Sequence, residues 1–136
     1  MISWPSMNLP PINLYTVPLL GNVKSSTVNQ SMSKKVLFVC AQGRLRSATA
    51  MHLMHRMYGY NTRCCGTDKD ALFQANERIL GWADEICTMD EFQKFLIQGM
   101  CDDMGIAQKV RSLNIPDDYD YMDDELCSLI QRRYFA

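Results

Sequence analysis

The segment Val36-Leu-Phe-Val-Cys40-Ala-Gln-Gly43-Arg-Leu-Arg46-Ser47 sets a cysteine at the end of an apolar run and an arginine six residues later, where a helical pattern begins. A cysteine thiolate is a strong nucleophile, and both a helix N-terminus and a nearby guanidinium favour that charged form. The five residues between, Ala41, Gln42, Gly43, Arg44 and Leu45, can curl their backbone N–H groups into a nest around a tetrahedral oxyanion, while Arg46 adds a planar two-pronged donor. Gly43 can take the positive φ that such a curl demands, and Ser47 can donate its hydroxyl to the thiolate. The chemistry implied is phosphoryl transfer without a metal. A buried strand-end cysteine followed by ordinary helix-entry charges would show the same letters, so the reading rests on the strand-loop-helix context as much as on the spacing.

Those residues must be positioned by the elements around them. Val36–Val39 is a continuous apolar run of the kind found in buried parallel strands, and residues 46–58 carry Ala50, Met54 and Met57 at helical spacing with Leu53 beside them, ending at Gly59. Further strands are predicted at 60–65, 85–89 and 110–113, and helices at 70–82, about 90–107 and 122–133. Strands alternating with helices imply an α/β fold in three layers: an open, parallel, four-stranded sheet with helices on both faces. In such sheets ligands bind at the carboxyl ends of the strands, where Cys40 stands.

Length and composition bound the rest. With 136 residues, 47% of them hydrophobic, the chain can bury one core. Residues 1–33 hold four of the five prolines and a single charged side chain, Lys24, and read as an irregular N-terminal extension to a domain at 34–136. The change in composition at Met32-Ser33-Lys34-Lys35 makes Met32 a candidate natural start. Fourteen basic against 15 acidic residues exclude a global basic surplus for nucleic acid or anionic membrane, and no apolar run is long enough to span a bilayer. Six cysteines without C-x-x-C spacing fit a reducing, cytoplasmic setting. His52 and His55 could share a ligand but lack a third, so neither metal nor cofactor is expected.

The run V-L-F-V-C-A-Q-G-R-L-R-S resembles the signature of the low-molecular-weight protein tyrosine phosphatases, a strand ending in Cys, five residues, then Arg-Ser opening a helix. C-C-G-T at 64–67, W-A-D-E-I-C-T-M-D at 82–90 and I-P-D-D-Y at 115–119 resemble three later blocks of that family in the same order, most closely those of its short bacterial and phage-type branch. The resemblance implies Cys40 as nucleophile, Arg46 as phosphate clamp, Ser47 as loop hydroxyl and Asp117 as general acid, with Asp118 as fallback because it stands where the family commonly has proline. It implies hydrolysis of a phosphorylated protein, foremost phosphotyrosine, or of a small phosphomonoester through a cysteinyl-phosphate.

Tyr119, and Tyr121 beyond it, can stack on an aromatic leaving group, and Arg44 offers a rim charge. Two departures stand out. Gln42-Gly43 replaces the family's Gly-Asn, removing the asparagine that ties the loop, and Leu45 replaces the adjacent second cysteine, leaving Cys40 open to over-oxidation. Two other functions share these residues: a phosphate-binding adaptor with little turnover, and a thiol-dependent arsenate reductase, which needs further cysteines to relay a disulfide, whereas Cys87 reads as a strand residue and Cys101 has no obvious close partner.

Overall fold

Val36, Leu37, Phe38 and Val39 are all fully buried, which requires cover on both faces of the strand they form. In a computed structural model that describes residues 33–136, this strand, β1 (Lys35–Cys40), is followed by α1 (Arg46–Tyr58), β2 (Asn61–Gly66), α2 (Glu77–Trp82), β3 (Glu85–Thr88), α3 (Glu91–Met104), β4 (Lys109–Ser112) and α4 (Asp124–Tyr134). The strands make one sheet in the order β2-β1-β3-β4, every pair parallel. The expected N-terminal extension and the alternative start at Met32 lie outside the described residues.

Strand alternation divides β1 between two cores. Val36, Phe38 and Cys40 face Leu53 and Met54 of α1 and Leu126 and Ile130 of α4, whereas Leu37 and Val39 face Leu80 of α2 and Ile97 of α3. The three-layer architecture follows directly. α1 ends where expected, at Gly59, whose φ of 72° lets its N–H bond to the His55 carbonyl. Asp90 caps α3 through a reciprocal pair with Gln93, and Asp123 caps α4 by accepting from the Glu125 and Leu126 amides.

The helix expected over 70–82 forms only from Glu77. Upstream, Gly66 is bonded on both sides to residues 73–75: its N–H donates to Phe73 O at 2.8 Å and its carbonyl accepts from Ala75 N at 2.9 Å. Leu72 N–H donates to Gln42 O at 3.2 Å. Those bonds hold 71–75 against the loop between β1 and α1 in place of a helical turn, and the Asn76 side chain then caps α2 by accepting from Ile79 N. Leu72 is 62% exposed as a result. The closing helix begins at Asp124, not 122, because Met122 takes a left-handed φ of 60° and gives its N–H to the Thr49 hydroxyl.

At the opposite end of the sheet from Cys40, buried Glu85 accepts from Tyr134 Oη (2.8 Å) and Arg111 Nε (2.7 Å) and pairs with Lys34 (3.0 Å). Burial alone would raise its pKa, but the bonds from Tyr134, Lys34 and Arg111 outweigh it and hold the carboxyl below its ordinary 4.5. A depressed folded-state value means that this stabilisation is present above pH 4.5 and is lost as pH falls through the lower, folded value. Tyr134→Phe is therefore expected to cost about 1–3 kcal/mol at neutral pH and to flatten the acid limb of stability, measured by urea unfolding across pH.

Candidate active site

Cys40 ends β1 with 3% of its surface exposed, and the chain then turns through Ala41–Leu45 into α1. The loop's rigidity comes from outside it. The carbonyls of Cys40, Ala41 and Gln42 accept from Thr67 N (3.0 Å), Asp68 N (2.9 Å) and Leu72 N (3.2 Å), so they turn toward β2. Gln42 adds a side-chain bond, Nε2 to Asp68 Oδ2, at 3.0 Å. These contacts tie the loop where the family's asparagine is missing.

Gly43 has φ 71°, and a Cβ there would lie 3.1 Å from the Cys65 carbonyl carbon; one on Gly66 would lie 2.4 Å from the Ala41 oxygen. Only glycines let the two backbones approach this closely.

Around the sulfur, Gly43 N–H points at Cys40 Sγ from 3.1 Å and Ser47 Oγ lies 3.0 Å away. α1 begins without a side-chain cap and without an acidic residue in its first turn, so its leading amides remain available to an anion. Arg46 is buried, and its Nη1 donates to the Ile115 carbonyl at 2.8 Å. Asp90 Oδ2 stands 3.7 Å from Nη1 and Asp117 Oδ1 3.6 Å from Nε.

The structure thus brings Cys40, Arg46, Ser47, Gly43 and Asp117 together. Asp117 is 70% exposed at its side chain, and Asp118 is exposed as well, with no ion pair among the described residues. Arg44 and Leu45 are exposed on the rim, while Tyr119 and Tyr121 are half-buried and lean on the core. Tyr121 also bonds to His52 of α1 through its hydroxyl. The loop that carries Asp117 is fixed at its start by Arg133, which donates to Leu113 O and Asn114 O.

Two contributors have no role in the sequence reading. Asp90 sits just past β3, at the same sheet end as Cys40; an acidic residue after a strand of a parallel sheet was the available signal. The tethers at Thr67, Asp68 and Leu72 are backbone contacts and leave no signal in residue type. Cys87 lies fully buried in β3 and Cys101 in the second core. A cavity of about 430 Å³, lined in part by Met51, Arg63, Cys64, Phe73 and Ile79, lies against edge strand β2 and not over Cys40. Among the described residues no three His, Cys, Asp or Glu side chains converge as metal ligands, and no helix is long and apolar enough to cross a membrane.

No family model matches the sequence, and no curated protein does. Solved structures do match the fold. The low-molecular-weight protein tyrosine phosphatase of Streptococcus pyogenes superimposes with TM-score 0.61 at 17% identity, covering 74% of this chain and 87% of that one. The tyrosine phosphatase Wzb of Escherichia coli K30, solved with phosphate, gives 0.59 at 16% identity over 75% and 94%. The YwlE arginine phosphatase of Geobacillus stearothermophilus gives 0.55 at 18% over 73% and 89%. The parallel sheet order, the loop between β1 and α1, and these superpositions together show that the chain has the fold of the low-molecular-weight protein tyrosine phosphatases.

Proposed function

We propose that the protein hydrolyses phosphomonoesters, with phosphotyrosine as the leading substrate, through a cysteinyl-phosphate on Cys40. The observation that carries this reading is the convergence on one sulfur of the Gly43 amide, the Ser47 hydroxyl and an uncapped helix N-terminus, beside a guanidinium anchored by the Ile115 carbonyl. The phosphoryl oxygens would take the loop amides of Ala41–Arg46 and the Arg46 guanidinium, which neutralise charge as it spreads over them. Cys40 Sγ attacks phosphorus and the P–O bond to the leaving group breaks, with Asp117 giving its proton to the departing oxygen. Asp117 then takes a proton from water, whose oxygen attacks phosphorus as the S–P bond breaks, releasing phosphate and the thiolate.

Arg44 on the rim suits a dianionic ester, and exposed Leu45 and Leu72 beside the loop suit an aromatic one. Six unbridged cysteines suit a reducing, cytoplasmic compartment. The test is hydrolysis of para-nitrophenyl phosphate by freshly reduced protein with chelator present, followed by phosphotyrosine and phosphoarginine. Metal-independent turnover supports the reading; phosphate or vanadate binding without turnover replaces it with the adaptor reading.

The Arg46 anchor yields its own expectation. Asp90→Asn keeps a helix-capping side chain for α3 but removes the charge facing Nη1. It is expected to lower kcat/KM by up to about 10²-fold through misplacement of the clamp, with thermal unfolding little changed.

A further inference from the structure

Cys64 is on β2 opposite Phe38, and Cys40 is two residues beyond Phe38, so strand alternation puts both cysteines on the α1 face of the sheet. Cys65 faces the other core. Cys64 Sγ lies 3.9 Å from the Gly43 carbonyl, and the amide of that same Gly43 points at Cys40 Sγ from 3.1 Å. The Ser47 hydroxyl lies 3.0 Å from Cys40 Sγ and also draws the Cys64 pKa down, an influence that spans both thiols. One loop residue and one hydroxyl therefore link two thiols that stand 24 positions apart in sequence. On its other side Cys64 lines the cavity along the edge of β2.

We propose that Cys64 is the resolving thiol for Cys40: when a peroxide oxidises the Cys40 thiolate, the oxidised sulfur is captured as a Cys40–Cys64 disulfide. The inference rests on the reading of Cys40 as a reactive thiolate. In the first step the thiolate takes the terminal oxygen of hydrogen peroxide, the O–O bond breaks, and hydroxide leaves, giving a sulfenic acid. In the second, Cys64 sulfur attacks that of Cys40, the S–O bond breaks, and the hydroxyl leaves as water with the Cys64 proton. A dithiol reverses the bridge by exchange.

In the reduced protein Cys64 is held as an unreactive thiol. Burial, then the charge of Cys40, push its pKa up to about 11, against a smaller pull from Ser47. Oxidation of Cys40 to a neutral sulfenic acid removes the second of these, so the partner becomes more reactive once it is needed.

Diagonal neighbours on adjacent strands stand about 7–8 Å apart, their Cβ atoms somewhat less, whereas a disulfide needs Cβ atoms about 3.5–4.5 Å apart. The bridge therefore draws Cys40 and the loop behind it toward β2. The phosphate cradle cannot survive that movement, so the bridged form is inactive and protected. Cys87 makes the useful comparison: it also stands opposite Phe38, on β3, but its electrostatic partners are Glu85, Arg111 and Lys34, at the far end of the sheet.

The test treats wild type, Cys64→Ser and Cys87→Ser with hydrogen peroxide, blocks remaining thiols, and reads intact mass, linked peptides and the para-nitrophenyl phosphatase activity recovered with dithiothreitol. Wild type and Cys87→Ser should lose two hydrogens, show the Cys40–Cys64 peptide and recover nearly all activity. Cys64→Ser should gain two or three oxygens on Cys40 and recover little. Wild type that over-oxidises as readily as Cys64→Ser, or a bridge mapped to another cysteine, overturns the proposal. A chain that forms the bridge but never hydrolyses a phosphomonoester defeats the proposed function alone; one that hydrolyses but forms no bridge defeats this inference alone.

Discussion

Cys40→Ser is expected to lower phosphomonoester hydrolysis by about 10⁴-fold or more while phosphate still binds, because the substitution removes the nucleophile and leaves the cradle. The cradle is built by other groups: the amides of the loop, the three carbonyl tethers from Thr67, Asp68 and Leu72, and Arg46 held by Ile115 O. A serine hydroxyl at the floor keeps the approach of Gly43 N–H and Ser47 Oγ but is far less ionised at neutral pH than a thiol. Steady-state rates beside phosphate or vanadate titration measure both halves of the expectation. Loss of binding together with turnover would mean that the sulfur holds the loop in shape.

Asp117→Asn is expected to cost about 10²- to 10⁴-fold with phenyl phosphate or phosphotyrosine, whose leaving oxygens need a proton. The loss should shrink with para-nitrophenyl phosphate, because nitrophenolate departs readily as the anion. Asp118→Asn should show neither effect. The geometric reason is the 3.6 Å approach of Asp117 to Arg46 Nε, which Asp118 does not share. Rates for the two variants on the same series of leaving groups decide between the carboxylates: a loss confined to Asp118→Asn would place the acid there, and an equal loss in both would divide its role.

How far the sequence reaches is best judged element by element. The β1-loop-α1 unit was legible because Val36–Val39 allows little but a doubly covered strand, and because α1 shows a continuous apolar stripe that Gly59 stops. Residues 70–76 were not, since Ala71, Leu72 and Ala75 mimic helical spacing while the bonds that decide their conformation run to Gly66 and Gln42, outside any local window. The same limit hid the pairing of Gln42 with Asp68, the approach of Gly43 to β2 and the place of Asp90 beside Arg46. Cys40, Arg46 and Ser47 were legible as a group because they lie within one turn of chain. Asp117 was reached through resemblance, as nothing local separates it from Asp118.

The most direct measurement is acid quench of a reaction with para-nitrophenyl phosphate in the presence of chelator, followed by peptide mass spectrometry. A phosphoryl group on the Cys40 peptide, present during turnover and gone when substrate is exhausted, is the predicted result. Steady turnover by the same protein with Cys40 unmodified throughout, and undiminished in Cys40→Ser, would contradict the account.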